Sequence, residues 1–422
     1  MGSGTFKVLT RNTALINARA GADIRIVQVG ARRDNPAADT RGVAVTRDVF
    51  EVARNPEVDV LVELIGGTTT ARELVLEAIR HGKHVVTANK ALIAEHGNEI
   101  FATARASGVM VAFEGAVAGG IPIVKTLREG LGANHIEWLA GIINGTTNYI
   151  LTAMAEEGKS FAEALAEARA RGYAEADPTF DVEGIDAAHK LVILAALAFG
   201  VPLAFDRVYT EGIGRLSLED VAYARELGFR IKHLAIARQG ERGVELRVHP
   251  TLIPENCLIA EVDGVMNAVM VKGDAVGPTL FYGAGAGDEP TASAVVADII
   301  DVARALNVPP EARVPYLAFA EEGVNGRPIL SIEEVETAYY LRLEVVDKPG
   351  VLSQVASIMS DRGISIEAII QKRPREGASH VPLILLTNQA REATLMGAVR
   401  EIEALPAVVG EVARIRVETL DG

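Results

Sequence analysis

The sequence predicts an α/β fold in three parts: a doubly wound parallel sheet, a mixed α+β segment, and a small βαββαβ unit at the C-terminus. Three observations carry this. The chain has 422 residues, too many for one hydrophobic core. Its first hundred residues alternate short apolar β-type runs with helical patterns, as a parallel sheet with crossover helices does. Residues Ala338 to Val417 show their own strand and helix periodicities.

In the first part, strands are expected at Asp23 to Gly30, Val58 to Ile65, His84 to Thr87 and Val109 to Phe113. The helix Ala71 to His81 places Leu74, Val75, Ala78 and Ile79 on one face. The pattern is that of a Rossmann-type domain. A helical segment, Thr5 to Asn17, comes first, with no strand before it. Met1-Gly2-Ser3-Gly4 has the look of the end of a glycine-rich turn. Either the front of the sequence is shortened or its start is assigned too late; the alternative is a helical N-terminus complete as it stands.

From Glu114 to Gly287 the reading is a mixed α+β segment. Strands are expected at Ile136 to Gly141, Val244 to Val248 and Asn267 to Lys272, with helices at Asn148 to Glu157 and Ile185 to Leu197. The helix Ala292 to Leu306 is apolar on one face and is expected to return to the first domain. In the last part, Leu341, Leu343 and Val345 alternate with Arg342 and Glu344, and a turn follows at Asp347-Lys348-Pro349-Gly350. The next helix puts Val351, Leu352, Val355, Ile358 and Met359 on one side. Strands Ile364 to Gln371 and Val381 to Thr387, a helix with Leu395, Val399 and Ile402, and a strand Ala413 to Val417 complete a ferredoxin-like unit. Glu321 to Glu334 reads as the linker. The expected domains are 1–112 with about 290–320, lacking a first strand, then 113–289, then 338–417.

Composition narrows the function. Hydrophobic residues make up 49% and charged residues 23%, the profile of a compact chain. A net charge of −14 argues against a nucleic-acid partner, because phosphate binding needs a basic surface. The single cysteine, Cys257, excludes an internal disulfide framework and a cysteine metal cluster, and fits a reducing cytoplasm. The eight histidines show no ligand-like spacing, so zinc is not expected. No apolar run approaches the ~18 residues of a membrane span, so no membrane partner is expected.

Ligands of open α/β sheets bind at the carboxyl ends of parallel strands. Glu63-Leu64-Ile65-Gly66-Gly67 and His84-Val85-Val86-Thr87-Ala88-Asn89-Lys90 end two such strands, which makes Gly66, Thr87 and Lys90 candidates for contact with a dinucleotide, along with Gly2. Where an acid usually binds the ribose diol of NAD, Arg32 and Arg33 follow the second strand. Guanidinium binds phosphate in a bidentate manner, so NADP is favoured; two solvated arginines are the plain alternative. Asp186 and Lys190 lie four apart on an otherwise apolar helix, at a polar seam facing solvent or a cleft.

The stretches Thr87 to Leu92, Glu114 to Pro122, Gly141 to Ile150, Gly172 to Pro178, Asp181 to Lys190 and Gly283 to Gly287 with Pro290 to Ser293 resemble the homoserine dehydrogenase family, in order and spacing across nearly the whole chain. The resemblance implies oxidation of homoserine to aspartate semialdehyde with NAD or NADP, in threonine and methionine biosynthesis. It assigns proton transfer to Lys190 or Lys90, with Asp186 orienting the substrate. It gives the substrate ammonium to Glu175, its carboxylate to Gly145 and Thr146, and a further substrate contact to Asp181. Gly285 becomes a second backbone approach to the cofactor, although Asp288 and Glu289 add negative charge beside it. Glu114, Val117, Gly119 and Ile121 match a monovalent-cation loop, implying sodium bound by hard oxygen donors.

Residues 338–417 resemble an ACT domain, which implies an amino-acid effector, threonine first, and a homodimer or homotetramer. A dimerisation module without ligand is the alternative. Two other activities stay open from sequence: a catalytically weak amino-acid sensor, and another NADP-dependent amino-acid dehydrogenase.

Overall fold

The computed structural model describes residues 1–33, 40–320, 323–324, 326–372 and 380–420. The chain forms two compact units: Met1–Gly145, Asp186–Val208 and Val265–Arg327 in one, Thr146–Ile185, Tyr209–Gly264 and Pro328–Gly422 in the other. Elements are numbered in chain order.

The first unit opens with α1 (Gly2–Arg11) and α2 (Thr13–Ala20). One helix over residues 5–17 was expected; the backbone breaks at Asn12, at φ −109°. Next come β1 (Gln28–Gly30), β2 (Ala44–Thr46) and α3 (Val49–Arg54), whose first turn is capped by the Asp48 side chain accepting from the Phe50 N–H. The alternation continues through β3 (Val60–Glu63), α4 (Thr69–Arg80), β4 (His84–Thr87), α5 (Lys90–Ala106) and β5 (Val111–Ala112). On α4 the expected apolar face is buried, with Ala71, Leu74, Val75, Ala78 and Ile79 inside.

These strands form two parallel sheets rather than one. β1 pairs with β2, and β3-β4-β5 makes the other. Among the described residues no strand lies between β1 and β3. Their facing edges border an apolar cavity of about 370 Å³, walled by Phe6, Ile24, Ile26, Val58, Val60 and Val62. The strand expected at residues 23–30 shrinks to Gln28–Gly30, because residues 24–27 face this cavity without a ladder partner.

The helix α12 (Asp288–Ala305) returns to this sheet, as its apolar face predicts. Ala292, Val296 and Ile300 pack on Val8, Ile16 and Ala20, while Val295, Ile299 and Val302 pack on Val86, Ala88 and Ala112. The unit is completed by α6 (Ile123–Lys125), β6 (Ile136–Ile142), α10 (Ile185–Phe199), β10 (Met266–Gly273) and β11 (Gly277–Ala284). The three strands run antiparallel in the order β11-β10-β6. Helix α10 is buried nearly all round, the expected state of a helix apolar on every face.

The second unit holds α7 (Gly145–Glu157), α8 (Phe161–Ala170), α9 (Thr179–Val182), β7 (Tyr209–Thr210), α11 (Leu218–Glu226), β8 (Phe229–Gln239) and β9 (Val244–Pro254). Strand β8 was not anticipated. Arg230, Lys232 and His233 interrupt its apolar pattern, yet Lys232 and His233 are buried: Lys232 Nζ donates to the Val262 carbonyl at 2.7 Å and pairs with Asp263 at 2.8 Å.

The C-terminal module is β12 (Glu336–Val346), α13 (Val351–Asp361), β13 (Ile366–Gln371), β14 (His380–Thr387), β15 (Ala390–Arg391), α14 (Glu392–Glu403) and β16 (Val408–Val417). Its strand order, β16-β12-β14-β13, is the ferredoxin-like arrangement predicted from periodicity. Val355, Met359, Leu395, Val399 and Ile402 fill its core against Leu341, Leu343 and Leu383. Strand β16 also pairs in parallel with β9, Arg416 opposite Thr251, so the module continues the sheet of its own unit. The expected linker, residues 321–334, lies partly outside the described residues.

Candidate active site

Three polar turns of the first unit gather at strand ends. After β3 the chain turns through Gly66 and Gly67, at φ +73° and +72°, values a side chain would resist. The buried Glu63 carboxylate holds this turn by accepting from the Ile65 and Gly66 N–H groups at 2.9 and 3.1 Å. Its other oxygen accepts from the Thr87 hydroxyl at 2.6 Å. The Thr87 oxygen in turn accepts from the Asn89 N–H. Neighbouring strands β3 and β4 are thereby locked at the ends where a dinucleotide would lie. Lys90, the first residue of α5, follows directly.

Asp186 is the centre of the charge cluster. Its Oδ2 accepts from Lys190 Nζ at 2.7 Å and from the Asn144 amide at 2.8 Å, and its Oδ1 pairs with Lys90 Nζ at 3.0 Å. Lys190 also donates to the Ile143 carbonyl at 2.7 Å. Burial alone would raise the Asp186 pKa, but the two lysines outweigh it and hold the carboxyl well below the usual aspartate range. The polar seam of α10 thus faces Lys90 and the turn after β6. One turn along, burial lowers the His189 pKa against the pull of Glu95, so the ring is neutral at neutral pH.

The glycine run is a packing device as well as a turn. A Cβ on Gly285 would meet the Asn267 side chain at 2.0 Å, and one on Gly119 would meet the Gly285 carbonyl at 2.5 Å. Gly283 is the penultimate residue of β11, and Gly120 N–H donates to the Ala284 carbonyl that ends it. The acidic pair is engaged within the unit: Asp288 pairs with the Met1 ammonium, and Glu289 takes a two-pronged contact from Arg11 at 3.0 and 3.1 Å.

In the expected cation loop, Glu114 is buried and its carboxylate accepts from the Val124 and Lys125 N–H groups at 3.0 and 2.7 Å. The acid therefore braces the loop by capping α6. Ala118 and Gly119 turn at φ +54° and +52°. The Ile121 carbonyl already accepts from the Ile123 N–H at 2.8 Å. Burial raises the Glu114 pKa, and that of Asp298 further still, since Asp298 also sits beside Glu114.

Glu175, Asp181 and Thr146 belong to the second unit, and Gly145 ends a segment of the first. Glu175 is exposed on the loop between α8 and α9. The Thr146 hydroxyl donates to the Tyr173 carbonyl at 2.7 Å. Its donor is spent on ordering the loop before Glu175, and the backbone N–H groups at the start of α7 remain. A Cβ on Gly145 would lie 2.8 Å from the Val265 carbonyl, so only glycine starts this helix. Arg32 and Arg33 are exposed just beyond β1, and Gly2 starts α1.

Sequence reasoning singled out neither Asn144, Glu63, Asn89 nor Asp298. Asn144 and Asn89 occupy turns where a polar residue reads as a cap, Glu63 ends β3 and Asp298 lies within α12, and only their common burial marks them.

Comparison with known proteins identifies the family. Residues 122–300 match the family described as homoserine dehydrogenase, residues 1–114 its NAD binding domain, and residues 339–404 the ACT domain. A Pseudomonas aeruginosa homoserine dehydrogenase is 63% identical over 421 residues, covering 100% of this chain and 97% of that one. A crystal structure of a homoserine dehydrogenase from Thiobacillus denitrificans superposes with a TM-score of 0.95 at 59% identity, covering 100% of this chain and 96% of the other. An archaeal homoserine dehydrogenase mutant in complex with NADPH gives 0.54 at 29% identity over 64% of this chain and 78% of its own. The chain belongs to the homoserine dehydrogenase family, NAD(P)-dependent oxidoreductases that interconvert L-homoserine and L-aspartate 4-semialdehyde.

Proposed function

We propose that the Asp186 cluster carries the proton side of the reaction, with Lys190 as the transfer group. Oxidising the homoserine alcohol breaks a C–H bond as hydride and an O–H bond as proton. The nicotinamide, when bound, takes or returns the hydride. Lys190 takes the hydroxyl proton in one direction and returns it to the aldehyde oxygen in the other. Lys90 faces the same oxygen, and Asp186 fixes both amines while balancing their charge. The observation behind this reading is that two amines from separate segments share one buried carboxylate.

Glu175 binds the substrate ammonium and the N–H groups at Gly145 and Thr146 bind its carboxylate, with Asp181 adding a further contact. These roles rest on residue types and on the α7 N-terminus, where the helix dipole favours an anion. Steady-state kinetics test the assignment. Lys190→Met is expected to lower kcat sharply with little change in KM, while Glu175→Gln raises the homoserine KM. Unchanged kcat in Lys190→Met would transfer the role to Lys90.

The cofactor lies along Gly2, Gly66, Thr87, Lys90 and Gly285, and NADP is preferred through Arg32 and Arg33, in keeping with the NADPH complex of the archaeal relative. Replacing both arginines by Ala is expected to raise KM for NADPH and leave KM for NADH. The cavity between β1 and β3 reaches Gly2, so titrating cofactor into this chain and into one carrying an added N-terminal strand measures what a strand there contributes. Sodium is held by the carbonyls of Val117, Gly119 and Ile121, with Glu114 bracing the loop; activity in potassium or choline buffers tests this.

Residues 1–112 with 290–320 serve the cofactor, 113–289 the substrate and dimerisation, and 338–417 regulation by an amino acid such as threonine. The enzyme works as a cytoplasmic homodimer or homotetramer, which light scattering checks.

A further inference from the structure

We propose that the second unit contains a binding site for a free α-amino acid, between Glu183 and Arg414. The site is a polar cavity of about 720 Å³. One wall is Glu183 and the segment Tyr209 to Leu216; the other is Glu411 to Ile415 of β16, with Arg342 of β12. The volume is that of small-molecule sites in general.

The charges on these walls select the ligand. Asp220 is taken by Arg342 at 2.7 Å, Glu211 by Arg416 at 2.8 Å, and Arg215 by Glu411 at 3.6 Å. That leaves Glu183, an exposed carboxylate, and Arg414, a half-buried guanidinium whose charge also acts on Glu211. Neither Glu183 nor Arg414 has a side-chain hydrogen bond or ion pair among the described residues, and the Arg414 Nε is buried without a partner. A zwitterion satisfies both, its ammonium on Glu183 and its carboxylate on Arg414. A simple anion would meet Glu183, Glu211 and Asp220; a simple cation would meet Arg342 and Arg414. None of residues 347–350, the opening turn of the module, lines the cavity.

The site is wired to the helix of the candidate active site. Glu183 is followed by Gly184, at φ +83°, and then by α10, which carries Asp186 and Lys190. A Cβ on Gly184 would touch the His233 ring at 3.1 Å, so this junction has little slack. A ligand that draws Glu183 toward β16 therefore pulls on the start of α10. This consequence for turnover rests on the roles proposed for Asp186 and Lys190; the binding itself does not.

The test is calorimetry on the full chain with L-threonine, L-serine, L-methionine and L-lysine, each against its amine-only and acid-only analogue. At least one amino acid is expected to bind and its two analogues not. Glu183→Gln and Arg414→Gln are each expected to weaken that binding at least about tenfold, the value of one charged hydrogen bond, with urea midpoints showing both variants folded. Binding by none of the four, or binding that both variants retain, overturns the proposal. Inhibition of semialdehyde reduction is read separately, so a chain that binds but is not inhibited refutes the proposed coupling and leaves the site standing.

Discussion

The Asn89 side-chain amide donates to the Gly67 carbonyl at 2.7 Å while its oxygen accepts from the Leu92 N–H at 3.1 Å. One residue thus ties the turn after β3 to the helix that begins at Lys90. Asn89→Ala should cost about 1–2 kcal/mol, the value of a cap and a buried hydrogen bond. It should raise KM for the cofactor more than KM for homoserine. Denaturant titration and steady-state kinetics check both; equal effects on the two KM values would place Asn89 outside the cofactor turn.

Asp186→Asn leaves two ammonium groups on a neutral amide. The kcat is expected to drop about 10²- to 10⁴-fold, the usual range for disrupted proton transfer. Because the folded pKa of Asp186 lies below its ordinary 3.8, its contribution to stability is present above that value and lost only as pH falls beneath it. An acid limb of kcat/KM above about pH 5 must then belong to another group, and should persist in an Asn144→Ala variant.

Gly285→Ala should fold only if Asn267 moves, since the new Cβ would overlap its side chain. The double variant Gly285→Ala with Asn267→Ala should recover part of the loss, a coupling of about 0.5–3 kcal/mol. Gly119→Ala should show no such rescue, because its obstacle is the Gly285 backbone and its φ is positive. Additive losses in the first pair would contradict the packing described.

Buried His233, with Nε2 on the Glu211 carbonyl, has its pKa lowered to about 4 by burial. The unfolded ring takes a proton near 6.5, so stability should be full above that value and fall by about 3 kcal/mol as pH drops from 6.5 to 4. His233→Gln should flatten this slope in urea midpoints. A slope identical to that of the parent would mean that other groups, His249 among them, carry it.

Asp298 behaves in the opposite sense. Burial, and then Glu114, raise its pKa well above 3.8, so it costs stability increasingly as pH rises past that value. It still accepts from the Glu114 N–H at 2.7 Å, a bond an amide oxygen can keep. Asp298→Asn should therefore raise the melting temperature at pH 8 more than at pH 5. A lower melting temperature at both would refute this.

Much of this was legible in residues 84–90 and 185–199, where strand and helix periods are clean and the polar seam is narrow. The ferredoxin-like order of the C-terminal module also followed from period alone. What escaped notice has a common cause: β8 hides its apolar face behind Lys232 and His233, and Asn144 and Asn89 look like ordinary caps until their burial is known. Periodicity reports which face is wet, and it misreads cations neutralised by partners distant in sequence. Nor can it show that the parallel sheet comes in two pieces.

The parallel seam between β16 and β9 has a practical consequence. Deleting everything after Val335 to obtain an unregulated enzyme would uncover the β9 backbone at Thr251 and Leu252. It would also take Glu418, at 2.6 Å, from Arg247, which is 1% exposed, leaving Glu245 at 3.1 Å to balance it. Truncation should yield insoluble protein, and deregulation is better sought through point changes on the cavity walls.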